Sequence, residues 1–599
     1  MPKTVNIAGA SGYWGESAMA TPQLLNAHKS GQVKLDYIVY DYLAEITMSI
    51  LARAKAKAPD TAGYARDFVD AVIRPHVRDI AETGIKLIAN AGGVNPESCG
   101  RAVRALIAEA GLDLKVAVIM GDDRMGEIDA ILTTNPSDMF SGEPFPPRDS
   151  IASINAYLGA FPIAKALAAG ADIVITGRVV DSAVTLGACI HEFGWGEQDW
   201  DLLASGSLCG HILECGPQAT GGNFTDWELA GDVSEIGYPI AEVSADGSFI
   251  TTKPPGTTGL VSVGTVSEQM LYEIGDPQAY LLPDVSCDFS EVTLTQIAPD
   301  RVKLSPAKGR AAPSHYKTCL TYADGFRAGL YLTFLGNRAA DKAKAFAKAA
   351  IARAETKLKT SNLGGFTEVS QEIIGNGSQM NTVFASTEIV MKLAVKHAEA
   401  KGVGIFLREL NGTYLATPPG LSAFTGAGRP KASPVVRLFS YLTPKSDIEV
   451  SIDVEGEHIT HTDTVFKTAS SPARPKSPIA VAGGVDITIE QLAWARSGDK
   501  GDKANIGVIA RKPEYMDALW SALTPEFIGD VFGPFMENAA EVERFYLPGS
   551  HAINVLMNRS LGGGGIASLR NDAQAKGFAQ ILLAQTISVP AETAKAIKS

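Results

Sequence analysis

Over the first 235 residues, short β-branched runs alternate with alanine-rich stretches. The runs are Val5-Asn6-Ile7-Ala8, Leu35 to Tyr40, Ile85 to Ala89, Val116 to Ile119 and Ile173-Val174-Ile175, with helical patterns such as Arg101 to Ala110 and Ile163 to Ala169 between them. Strands that alternate with helices predict an α/β fold built on a mostly parallel, Rossmann-like sheet. From 236 to 467 the texture changes to glycine- and proline-punctuated runs, Gly259 to Val266 and Ile448 to Val454 among them, with one strongly helical segment, Ala339 to Leu358. This predicts an α+β second subdomain.

The stretch Thr468 to Ser477 combines proline, serine and basic residues without periodicity, so a linker is expected over 468–481. Beyond it, 482–599 predicts a small α+β domain of ferredoxin-like type, with strands near Val485 to Ile487, Asn505 to Ala510 and Ile553 to Met557 and helices near Glu514 to Leu523 and Asp572 to Ala584.

At 599 residues the chain exceeds one hydrophobic core. Its 45% hydrophobic and 20% charged content, with mean hydropathy +0.06, predicts a chain that folds throughout. A net charge of -13, without a basic and aromatic cluster, argues against nucleic acid as a partner. Six cysteines without framework spacing read as reduced thiols. The N-terminus runs directly into a strand, leaving no room for a signal peptide, and the apolar stretch Tyr157 to Ile175 is broken by Lys165 and Asp172. The expectation is a cytoplasmic homo-oligomer with no membrane contact.

Candidate chemistry begins at Gly9-Ala10-Ser11-Gly12-Tyr13-Trp14-Gly15, which follows a strand. Gly9, Ser11, Gly12 and Gly15 could cradle an anion at a helix start, with Asp41 as a ribose-binding carboxylate; the same glycines equally serve a tight turn for geometry alone. Ligands of open α/β sheets sit beyond the carboxyl ends of the strands, and there the chain carries Asp41 and Glu45, Asn90 and Asn95, Asp122, and Arg178 and Asp181. Arg178, with its planar fork, is a candidate carboxylate or phosphate clamp.

The segment Cys209 to Cys215 continues into glycine-rich residues ending at Asn223. On a helix, His211, Glu214 and Cys215 would share one face and offer a base, a carboxylate and a thiol for acid/base or nucleophilic work, with Asp181 nearby. A buried structural thiol is the competing reading. No second metal-type pair accompanies these residues, so no metal is expected. In the C-terminal domain, Arg496 to Gly507 packs alternating charge and glycine into a turn in which Lys500 could hold an anion. Gly562 to Gly565 is a further glycine run before the last helix.

These stretches resemble the acyclic terpene utilisation protein A family. The matching segments are GASGYWGES, DYLAEITMSIL, IANAGGVNP, ADIVITGRVVDSAVTLG, ECGPQATGGNFTDW, TKPPGTTGLVSVGTVSEQMLYEIGDPQAYLLPDV and ARSGDKGDKANIG. The resemblance implies a long N-terminal domain followed by a short ferredoxin-like one, and a place in the breakdown of citronellol- and geraniol-type acids through CoA thioesters. The expected partner is a small-molecule acid or acyl-CoA; no cofactor is named, and CoA enters only as part of the substrate. The leading expectation is a lyase, hydratase or isomerase. The alternatives are an NAD(P)-dependent oxidoreductase and a non-catalytic accessory subunit of a CoA-ester enzyme complex.

Overall fold

The computed structural model describes residues 3–375, 388–423, 430–467, 470–538, 541–565 and 567–598. Thr468 and Ala469 of the expected linker, and Ile566 after the last glycine run, lie outside the described residues. In the rest of 462–484 no helix or strand is found. Among the described residues no helix is long and apolar enough to cross a membrane.

All five β-branched runs form strands: Thr4–Gly9, Tyr37–Tyr40, Lys86–Ala89, Val116–Met120 and Ile173–Thr176. They lie parallel, the fifth inserted between the third and fourth, with Ile7 beside Tyr37, Ile38 beside Leu87, and Ile173 between Leu87 and Val116. Successive side chains of a strand point to opposite faces. Here that alternation divides the apolar residues between two cores. Val5, Ile7, Tyr37, Val39, Ile88, Ile119 and Val174 face one, with helices Phe161–Ala168, Ala183–Phe193 and Trp200–Leu213. Ala8, Ile38, Tyr40, Leu87, Val118 and Ile175 face the other, with helices Ala20–Lys29, Arg74–Thr83 and Pro96–Ala110. Both faces of the parallel strands are therefore buried, which is why these runs are apolar at most positions, with Asn6, Asp36 and Lys86 the polar members toward the strand starts.

The sheet is nevertheless mixed, a correction to the mostly parallel expectation. It has 11 strands. Ile240–Ser244 pairs antiparallel with the first strand, and Phe249–Thr252, Arg301–Leu304 and Leu294–Ala298 follow outward. On the other side Val450–Val454 and Glu457–His461 extend from Val116–Met120. No subdomain break therefore falls at 235/236, because strands on both sides of it share one sheet. Gly259 to Val266, read as an apolar run, instead opens the helix Val263–Leu271 through a capping box of Ser262 and Thr265.

Two compact units are found. The first comprises 1–321, 438–560 and 575–599; the second comprises 322–437 and 561–574. In the second, Glu388–His397 pairs antiparallel with Glu368–Ile374 and with the outer part of His315–Leu335. Helices Ala339–Thr360 and Ala400–Thr413 supply the rest of its core, where Phe334, Phe346, Leu393 and Phe406 meet.

Within the first unit, 493–557 forms a four-stranded antiparallel sheet in the order Ala493–Lys500, Lys503–Ala510, Ala552–Met557, Val542–Leu547. Its helices are Met516–Ala522, Pro525–Phe532 and Phe578–Leu583, the last far shorter than the expected 572–584. The helix Val263–Leu271 packs on the first two strands of this sheet. Gly498 and Gly507 make that approach feasible: a Cβ at Gly498 would stand 2.6 Å from the Tyr272 ring, and one at Gly507 2.4 Å from the Leu271 Cβ.

Candidate active site

The loops that leave the carboxyl ends of the parallel strands bury an unusual amount of charge. Arg178, buried just beyond Ile173–Thr176, donates from Nη1 to Leu43 O at 3.0 Å, Val179 O at 3.2 Å and Asp181 Oδ1 at 2.8 Å. Its guanidinium lies 4.2 Å from the Tyr157 ring centroid, and Lys317 Nζ lies 4.8 Å from the same ring. The Tyr157 hydroxyl donates to Glu45 Oε1 at 2.5 Å, and Lys317 stands 3.8 Å from that oxygen. Burial opposes ionisation of Glu45, but Lys317, Arg178 and the Tyr157 hydroxyl outweigh it and hold the carboxyl down at about 2.

Asp41 is held differently. Burial, then Asp181 and Glu214, push its carboxyl well above the usual range, against Arg178 and a hydrogen bond from Asn90 Nδ2. Asn90 Oδ1 in turn accepts from the Tyr42 N–H at 2.7 Å.

His211 lies in the last turn of Trp200–Leu213, and Glu214 is the residue at its C-cap. The i, i+3 spacing brings His211 Nδ1 to 2.8 Å from Glu214 Oε1. His211 Nε2 is buried with no hydrogen-bond partner, and the His211 carbonyl accepts from Gln269 Nε2 at 2.8 Å. The Glu214 carboxyl is raised by burial and pulled back by His211, with Asp181 raising and Lys500 lowering it. Cys215 does not extend the helical face as expected. It begins a short 3-10 turn after the helix, and burial followed by the charges of Glu214 and Glu273 pushes its thiol well up, so it stays protonated.

The C-terminal domain adds to this charged cluster. Lys500, at the end of Ala493–Lys500, is solvent-exposed, with Nζ 5.7 Å from the Tyr280 ring centroid. Partial desolvation by the surrounding side chains works against its charge, yet Tyr280, Glu273, Asp181 and Glu214 outweigh it and hold the amine above its ordinary range. No hydrogen bond or ion pair ties this ammonium among the described residues. Beside it, Lys576 Nζ bonds Glu273 Oε1 at 3.0 Å and Asp499 Oδ1 at 3.3 Å, and donates to the Tyr272 hydroxyl. Burial and Glu273 raise Asp499 to about 6.

Of the residues singled out by sequence, Asp41, Asn90, Arg178, Asp181, His211, Glu214, Cys215 and Lys500 belong to this one cluster of interacting groups. Arg178 is a buried anchor with protein partners rather than an open clamp. Asn95 is elsewhere, donating to Pro59 O and Ala62 O, both at 2.7 Å. Asp122 accepts from Asn155 Nδ2 at 2.8 Å and the Arg178 N–H at 2.9 Å, and burial raises it to about 7. Asn223 is exposed, in the left-handed region at φ 58°, and its carbonyl accepts from Arg496.

The Gly9 to Gly15 turn has a packing role. A Cβ at Gly9 would stand 2.5 Å from Leu213 O, and one at Gly12 3.1 Å from the Cys215 backbone, so these glycines admit the segment that carries Glu214. The amides of Gly9, Ala10 and Trp14 donate to Pro239 O, Val39 O and Tyr42 O, while that of Gly12 donates to Glu16 Oε2 at 2.6 Å. Ser11 Oγ donates to Tyr13 O, and Gly15 takes φ 97°. The next helix starts only at Ala20, so no helix start supplies the dipole and free amides of an anion cradle, and four of the turn's own amides are already paired.

Tyr157, Tyr272, Glu273, Tyr280, Lys317, Asp499 and Lys576 were not among the sequence candidates. The detectable signal was in Gly498 and Gly507, two strand glycines outside the turn itself, which mark a close backbone approach.

Two family models match the chain. The model described as acyclic terpene utilisation family protein AtuA matches residues 5–454, and that described as AtuA ferredoxin-like domain matches 487–588. No curated protein matches. The second description names a fold: residues 487–588 contain no cysteine with which to ligate iron and sulfur.

Proposed function

Because the chain belongs to the AtuA family of acyclic terpene utilisation, we propose that it is an acid/base enzyme acting on a branched or unsaturated carboxylic acid or its CoA thioester, as a lyase, hydratase or isomerase. The observation that carries this reading is a carboxyl raised by burial and held by an imidazole, Glu214 with His211, within electrostatic reach of an untied ammonium, Lys500.

In this reading Lys500 binds the substrate's carbonyl or carboxylate oxygen. Glu214 takes a proton from the carbon next to the carbonyl, or one double bond further along. The electron pair moves onto the oxygen, where the Lys500 ammonium stabilises the developing charge. Glu214 then returns the proton at another carbon, or to a departing hydroxyl. A carboxyl pushed above its ordinary range exchanges protons near neutral pH more effectively than an ordinary one. His211 orients Glu214 without touching the substrate, and the protonated thiol of Cys215 is unsuited to nucleophilic attack.

The nicotinamide alternative has no support from the same loops. Its phosphate turn has spent most of its amides, and its ribose carboxylate, Asp41, is buried against Asn90.

The test begins with mass spectrometry of small molecules that co-purify with the native protein, followed by turnover of the acid or thioester so found. Glu214→Gln should lose about a hundredfold or more, and Cys215→Ser should keep most activity. Full turnover by Glu214→Gln would sink the assignment.

A further inference from the structure

Resting on the reading that Lys500 takes the polar end of the ligand, we infer that its apolar chain lies on a lip formed by Ile46, Ile50, Met139 and Phe140. These four side chains are exposed by 46%, 39%, 43% and 61%. Ile46 and Ile50 are one turn apart on the helix Glu45–Lys57 and so share a face. Met139 and Phe140 stand on the loop before the strand Ile151–Ala156, anchored where the Met139 N–H donates to Ser440 O at 2.8 Å.

The lip adjoins Lys317 and Glu45 of the charged floor. The Phe140 ring centroid lies 5.9 Å from Lys317 Nζ, Lys317 stands 3.8 Å from Glu45, and Glu45 directly precedes Ile46. Lys317 also stacks on Tyr157, whose ring meets Arg178, which bonds Asp181, one of the groups that act on Lys500. Apolar side chains held in water beside a charged cluster are an unfavourable arrangement that an amphipathic ligand relieves.

The occupant is the saturated or unsaturated hydrocarbon chain of a monocarboxylic acid or its thioester. The floor binds its oxygen through Lys500, while Arg178, Lys317 and Lys576 each already have a carboxylate partner. A ligand with a polar second end would leave that end over the four apolar groups.

The experiment is calorimetric titration of two homologous series, straight-chain carboxylates of increasing length and their N-acetylcysteamine thioesters, into the full chain and its variants. With the wild-type protein, affinity in at least one series should rise about threefold per added methylene. In Ile50→Ser and Phe140→Ser that increment should flatten, while the shortest member binds as before. Lys500→Met should weaken all lengths by a similar factor. An unchanged increment in both lip variants overturns the lip while leaving Lys500 as the head site. Unchanged affinity in Lys500→Met overturns the head reading instead. No binding by either series overturns both.

Discussion

The N–H of Glu273 donates to Asn505 Oδ1 at 3.0 Å, so a side chain of the C-terminal domain holds a residue of the body's charged cluster. Asn505 Nδ2 donates in turn to Leu271 O at 2.7 Å and to Asn554 Oδ1 at 3.0 Å, and Asn554 Nδ2 donates to Gly275 O at 2.6 Å. Glu273 occupies the left-handed region at φ 56°, just past the end of Val263–Leu271, where glycine is the usual residue. Asn505→Ala would leave a buried carbonyl and N–H unpaired, at a cost of about 1 to 3 kcal/mol. Denaturant unfolding should show this loss, and the Asn505→Ala, Asn554→Ala pair should be non-additive because the two amides bond each other. Additive effects would mean that the pair does not act as one clamp.

The strand glycines supply a second, steric expectation. Gly507→Ala would force a Cβ to within 2.4 Å of the Leu271 Cβ, and overpacking of this kind costs about 1 to 3 kcal/mol. Gly501, the turn glycine at φ 66°, has open space around it, so Gly501→Ala should cost only the left-handed backbone penalty, about 1 kcal/mol. Unfolding of the two variants should therefore rank Gly507→Ala as the more damaging. Equal losses would mean that the helix is not pressed on the strand.

Glu268 gives a stability expectation with a definite sign. It is buried on the same helix, and its Oε1 accepts from the Thr225 N–H at 3.1 Å and the Thr225 hydroxyl at 2.5 Å. Burial pushes its carboxyl up to about 8, against those bonds. The folded chain therefore holds this proton where the unfolded chain has lost it, so stability falls as pH rises from the ordinary carboxyl range through about 8. Glu268→Gln, neutral at every pH, should flatten that fall and be the more stable protein at pH above about 8. Parallel stability profiles for variant and wild type would remove Glu268 as the cause.

How much of the charged cluster is legible in the sequence follows from how local each signal is. The alternation of Val5 to Ala8 and of Ile173 to Ile175 is a property of neighbouring residues, and the parallel strands appear where it places them. The polar edge was legible for the same reason, since Asp41 and Asn90 directly follow a strand and Arg178 comes just after Gly177 at the end of another. The i, i+3 pairing of His211 with Glu214 survived although the helix ends at Leu213. What approaches a glycine is not local. Gly9 and Gly12 leave an anion cradle and a turn for geometry alone both open, because the segment at 213–215 that fills the space lies some two hundred residues on. Lys500 reads as an anion holder in a charged turn, but without its neighbours Glu273 and Tyr280, because these belong to the body. The antiparallel strands on both sides of the sheet were missed because Ile240–Ser244 and Val450–Val454 reach it from distant parts of the chain.

His211 carries the last expectation, because its effect on Glu214 has a known direction. The imidazole lowers the Glu214 carboxyl through its charge and its hydrogen bond, against the rise from burial. Removing it in His211→Phe should push the carboxyl higher. The limb of the turnover profile on which Glu214 must be ionised should then move toward alkaline pH. His211→Asn can still donate a hydrogen bond from its amide, so its limb should lie between wild type and His211→Phe. A purely structural role for His211 would lower turnover in both variants at every pH and leave the limb where it was. A limb that stayed in place would therefore remove His211 as the group that positions and tunes Glu214, even if both variants were slow.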